Sequence, residues 1–172
     1  MMASLSELER IVLDRRPDLA RTAPGPATEQ DLALLRSKIG EIPASLRELL
    51  SWRNGSPSDS WFGDGFWYLL PSSEIGSLYS EWASRRSNRV HRVDGESNEV
   101  RGWPSSWVPF ATWNGDVFVV LDGRDAEAPA VLGIDFEAGK IKRLASSFDA
   151  FIGMVLERVG ENEELDVDEL ME

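Results

Sequence analysis

The chain has 172 residues, 42% of them hydrophobic and 28% charged, with 30 acidic against 18 basic side chains and a formal net charge of −12. That length fits one domain with a sizeable core, the apolar fraction excludes a disordered chain, and no apolar run reaches the roughly 18 residues of a membrane span. With no cysteine and a single histidine, His91, disulfide frameworks, thiol nucleophiles and His-rich metal sites are excluded. The start, MMASLSELERIV, lacks the pattern of a secretory signal, so the expectation is a soluble cytoplasmic domain.

In chain order, Ser4-Leu5-Ser6-Glu7 has the spacing of a capping box, and Leu5, Leu8 and Val12 continue a helix to about Asp14. Thr22-Ala23-Pro24-Gly25-Pro26 is a linker, because two prolines and a glycine deny helix to their neighbours. Thr28 caps a second helix bearing Leu32, Leu35 and Ile39, closed by Gly40. Pro43 starts a third, with Leu46, Leu49 and Leu50 buried and Asn54-Gly55 as its stop. The aromatic run from Phe66 to Leu70 reads as a strand, and Pro71-Ser72-Ser73-Glu74 opens a helix carrying Ile75, Leu78 and Trp82. Arg85 to Gly102 is polar and arginine-rich, either a loop or a loose hairpin.

Four strands follow: Val108 to Trp113, Asp116 to Asp122, Ala130 to Asp135 and Lys140 to Leu144. Asn114-Gly115, Asp122-Gly123 and Ala138-Gly139 separate them as hairpin turns, so successive strands should be antiparallel. Val117, Val119 and Leu121 alternate with Phe118 and Val120, which predicts a central strand covered on both faces. Ser147 begins a last helix through Phe148, Phe151, Ile152, Val155 and Val159. The expected fold class is α+β: a single domain whose central, mainly antiparallel sheet carries the N-terminal and C-terminal helices.

The charge is uneven. Glu161 to Glu172 holds seven acidic residues and no basic one, and this tail is expected to be either frayed or helical only against a partner. Between Asp116 and Glu137 six carboxylates face only Arg124. Such a field repels phosphate backbones and attracts basic proteins, which argues against nucleic-acid binding.

Catalytic motifs fail on inspection. Gly133 to Lys140 departs from a P-loop by one extra residue, by Ile141 in the hydroxyl position and by lying in a hairpin. Gly63-Asp64-Gly65 has Tyr68 where a dinucleotide fingerprint needs its third glycine. Asp122 to Asp125 lacks the mid-loop glycine of a calcium loop. Asp116, Asp122 and Asp135 fall at strand ends, where a cleft that gathered two carboxylates could serve a hydrolase. Turn chemistry explains the same aspartates without catalysis. As candidate protein-binding residues the sequence offers Trp61, Trp113, Asp116, Asp122, Asp125 and Asp135, aromatics beside turns and carboxylates at strand ends. No catalytic, cofactor or metal residue is expected.

Three segments in register resemble the SUKH superfamily, which includes Smi/Knr-type cell-wall regulators and bacterial immunity proteins. They are Ile42-Pro43 through Asn54-Gly55, Trp107-Val108-Pro109-Phe110-Ala111 with Asn114 to Asp122, and Ala145-Ser146-Ser147-Phe148-Asp149-Ala150-Phe151-Ile152. Ile42, Asp149-Ala150 and the stretch 85–101 depart from the family pattern. The resemblance implies residues 1–27 as an N-terminal helix and linker, 28–160 as the SUKH-like domain, and 161–172 as an acidic tail. It also implies a non-catalytic module without cofactor, whose partner is a basic protein such as a cognate toxin domain, with a cellular regulatory partner as the alternative.

Overall fold

A computed structural model describes residues 2–56, 61–62, 66–84, 90–94, 99–124, 128–161, 163 and 165–172. The N-terminal third is helical, as its apolar spacing requires. Helix α1 (Met2–Arg15) buries Leu5, Leu8 and Val12, and starts just before the expected cap, so Ser4 lies inside it. A single short turn, α2 (Leu19–Thr22), buries Leu19 ahead of the proline linker. Helix α3 (Glu29–Ile39) carries a complete capping box: Thr28 Oγ1 accepts from the Asp31 N–H at 3.2 Å, and the Asp31 carboxylate accepts from the Thr28 N–H at 2.8 Å. Helix α4 (Ala44–Trp52) buries Leu46, Leu49, Leu50 and Trp52. Glu9 on α1 ties the two helices, accepting from Trp52 Nε1 at 2.9 Å and pairing with Arg53.

Strand β1 (Trp67–Leu69) leads into helix α5 (Ser72–Ser84). Then come β2 (Val90–Asp94), β3 (Glu99–Arg101), β4 (Trp107–Trp113), β5 (Val117–Asp122), β6 (Ala130–Asp135) and β7 (Lys140–Ala145). Helix α6 (Phe148–Gly160), capped by Ser147 accepting from the Ala150 N–H, and α7 (Val167–Met171) complete the chain. The sheet order is β1-β4-β5-β6-β7-β2-β3. Strands β4 to β7 form the antiparallel meander that the glycine turns predict. The arginine-rich stretch resolves in favour of a hairpin over its described residues, β2 with β3. The sequence did not predict that β2 would join β7 in parallel, seating Val93 beside Ile141.

Strand β5 is internal and apolar on both faces. Val119 is fully buried among Leu5, Leu8, Leu46, Phe151 and Ile152, the helix-covered side. Val120 is fully buried on the opposite side with Trp107, Leu132, Ile134, Ile141 and Val93. The domain is therefore α+β, with one sheet between two apolar layers.

The C-terminal tail departs from expectation. Leu165, Val167 and Met171 are buried at 3%, 9% and 7% exposure, so this segment docks on the body. Trp67 Nε1 donates to the Leu165 carbonyl at 2.7 Å in a buried bond. Arg158 on α6 bonds Glu163 at 2.7 Å and Glu169 at 2.8 Å, which holds its guanidinium more firmly protonated than usual. The repulsion among the tail carboxylates is answered by Arg158 and by burial of Leu165, Val167 and Met171 against the body.

Candidate functional site

The pairing registers place Trp67, Trp113, Val117, Asp135 and Lys140 side by side across β1, β4, β5, β6 and β7. With strands about 4.8 Å apart, this row is about 19 Å wide. Two turns project beyond it. In the first, Asn114 and Gly115 take positive φ, 51° and 83°, and the Asp116 N–H donates to the Trp113 carbonyl at 3.0 Å. These are the backbone angles a tight hairpin demands, and Asn-Gly supplies them at little cost. In the second, the Asp135 carboxylate accepts from the Ala138 N–H at 2.8 Å.

Both turns are exposed from Asn114 to Asp116 and from Phe136 to Gly139, so the carboxylates of Asp116 and Glu137 stand in solvent, with Asp135 half-buried between the turns. Asp116 accepts from Asn114 Nδ2 at 3.1 Å, a contact within its own turn. Aromatic rings flank the row on both sheet faces. Phe66, 54% exposed, leans on half-buried Trp113 with ring centroids 5.7 Å apart. Phe136, 42% exposed, caps a cluster with Trp82 at 5.3 Å and Phe118 at 5.7 Å. This end combines exposed carboxylates with exposed aromatic rings.

Of the six expected residues, Trp113, Asp116 and Asp135 meet at this end. Asp122 does not. It lies at the other end of β5, about 17 Å away along the strand, and is 3% exposed. Its carboxylate accepts from the Arg124 N–H at 3.2 Å and from Arg124 Nε at 2.7 Å, so it builds its own turn. Trp61 is a second correction: it is 1% exposed, its ring 5.1 Å from Trp52 with the Arg53 guanidinium 5.7 Å from its centroid. A side chain so placed packs α4 and offers no ring to a partner. Asp125 lies outside the described residues, as do residues 57–60, 63–65 and 85–89. Phe66 and Phe136 were missed. The detectable signal for Phe136 was a large apolar residue in a turn between Asp135 and Glu137, where polar residues are the rule.

The strand-end aspartates thus split between opposite ends: Asp122 is buried against Arg124, while Asp116 and Asp135 share the turn end, where Asp116 is exposed and Asp135 half-buried. Among the described residues no group of three or more His, Asp or Glu side chains is placed to hold a metal ion. A groove of about 400 Å³ between β7, α6 and α7 is lined by both signs of charge, Lys142, Arg143 and Arg158 against Glu157, Glu161 and Glu169. No helix among the described residues is long and apolar enough to cross a membrane.

The family model described as SMI1/KNR4 family (SUKH-1) matches residues 26–154, from the linker before α3 to the middle of α6. No curated protein matches the chain.

Proposed function

The chain belongs to the SMI1/KNR4 family (SUKH-1), and from that premise we propose that it is a non-catalytic protein-binding module that neutralises a cognate toxin domain. The observation that carries the reading is the turn end of the sheet, where Asp116, Asp135 and Glu137 stand between exposed Phe66 and exposed Phe136. A basic partner supplies the missing cations, and its arginines can stack on the aromatic rings. Toxin domains that act on nucleic acid present basic grooves, so an acidic plug with aromatic anchors competes with substrate for the same surface. Neither step requires a cofactor. The protein works in the cytoplasm, where such a toxin would act.

Co-expression tests this reading. The chain should restore growth to cells producing the toxin domain encoded beside it, and Asp116→Lys with Glu137→Lys should abolish that protection while the variant stays folded. If wild type gives no protection and binds no neighbouring gene product, the immunity reading falls and the regulatory alternative, a scaffold for a cellular partner, replaces it.

A further inference from the structure

The C-terminal segment Leu165–Glu172 spans the same row of residues that underlies the turn end. At one side Trp67 Nε1 donates a hydrogen bond to the Leu165 carbonyl, and at the other Lys140 Nζ donates to the Glu172 carbonyl at 3.3 Å. Trp67 and Lys140 are the two ends of that row. Between them Met171 fills a hollow that exists only because residue 133 of β6 is glycine. A Cβ there would lie 2.6 Å from Met171 Sδ and 3.2 Å from the methyl carbons of Leu144. A glycine inside a strand marks a close approach, and here the approaching group is the end of the chain.

Opposing forces act on this segment. Three buried apolar side chains and the Trp67 bond hold it down. Against them, α7 has only five residues, far below the length at which a helix persists alone, and Asp166, Asp168, Glu169 and Glu172 are exposed like charges. Arg158 answers part of that charge through pairs that are themselves 41% to 60% exposed and therefore sensitive to salt.

We propose that Leu165–Glu172 is a strap that opens as a unit while the sheet stays folded, and that its closure fixes the turn end in one conformation. Closing the strap and gripping the turn end are then coupled: whatever partner binds the turn end favours the closed strap, and an open strap weakens binding. The consequence for binding rests on the turn-end reading above, whereas the opening itself does not.

Hydrogen exchange on the full chain, without any partner, separates the two. In wild type the α7 amides should exchange at least about 100-fold faster than those of β5. Gly133→Val should speed α7 exchange by about tenfold more, together with the turn amides of Asp116 and Ala138, and leave Gly123 at the far end unchanged. On a Met171→Ala background, where the hollow is empty, Gly133→Val should add nothing. If Gly133→Val fails to fold, Arg158→Gln gives the same readout by removing both exposed pairs. Exchange of α7 and β5 at one common rate would overturn the strap, and fast α7 exchange with unaltered turn amides would overturn its coupling to the turn end.

Discussion

At the residue scale, the same amino acid does different work at the two ends of one strand. Asp116 and Asp122 bracket β5, yet Asp116 is exposed and Asp122 is 3% exposed beneath Arg124. Charge reversal therefore probes a surface only at Asp116. Asp122→Lys would bury an ammonium beside Arg124 and should cost upward of about 3 kcal/mol of stability, measured by urea unfolding. Val119 gives the complementary case. It is fully buried in the helix-covered layer, so Val119→Asp should cost about 4 kcal/mol or more and abolish cooperative folding, and a variant that melts like wild type would remove β5 from the centre of the account. Asp31 carries a pH dependence. The Thr28 backbone N–H and hydroxyl hold its carboxyl below the usual carboxylate range. A depressed folded pKa stabilises above the unfolded value and loses that contribution as pH falls through the folded value. Asp31→Asn should accordingly melt below wild type at pH 7, and the difference should close by about pH 2.

At the element scale, what the sequence revealed depended on how local the deciding physics was. Asn114-Gly115 and Ala138-Gly139 were legible as turns because positive φ is a property of the residues themselves. The alternation in Val117 to Leu121 announced two buried faces for the same reason. The parallel seat of β2 against β7 was not legible, since it depends on Val93 meeting Ile141 from a distant segment and no turn residue encodes it. Helix α7 was legible only as an alternative: Val167, Leu170 and Met171 have helical spacing within an acidic run, but what they dock against was not, because Gly133 sits in another element. At the site, the carboxylates and Trp113 were readable as candidates, whereas their division between two ends required the register. Burying Leu165, Val167 and Met171 outweighs the entropy of ordering the strap by a few kcal/mol at most. Truncation after Gly160 should therefore lower the melting temperature by about 5 to 10 °C without unfolding the sheet. An unchanged melting temperature would mean that the docked tail contributes nothing.

At the scale of the whole molecule, the family match covers the centre of a chain whose ends join the same core. Residues 26–154 carry the meander and the helices against it, while α1 and the strap fall outside that match and both pack on its helix-covered side. These additions leave the two turns open and close other surfaces, Leu5 and Leu8 through α1, Met171 through the strap. Among the described residues, the turn end is a surface that exposes both carboxylates and aromatic rings. The most direct test of the proposed interface is the association rate with the toxin domain proposed as partner, measured by surface plasmon resonance at two salt concentrations for wild type and for Asp116→Lys with Glu137→Lys. Steering by this surface predicts wild-type association above the neutral level of about 10⁵ to 10⁶ M⁻¹s⁻¹, slowed by salt, and a fall of about tenfold or more on charge reversal at low salt. Association that is equally fast in both proteins and indifferent to salt would place the interface elsewhere and contradict the account.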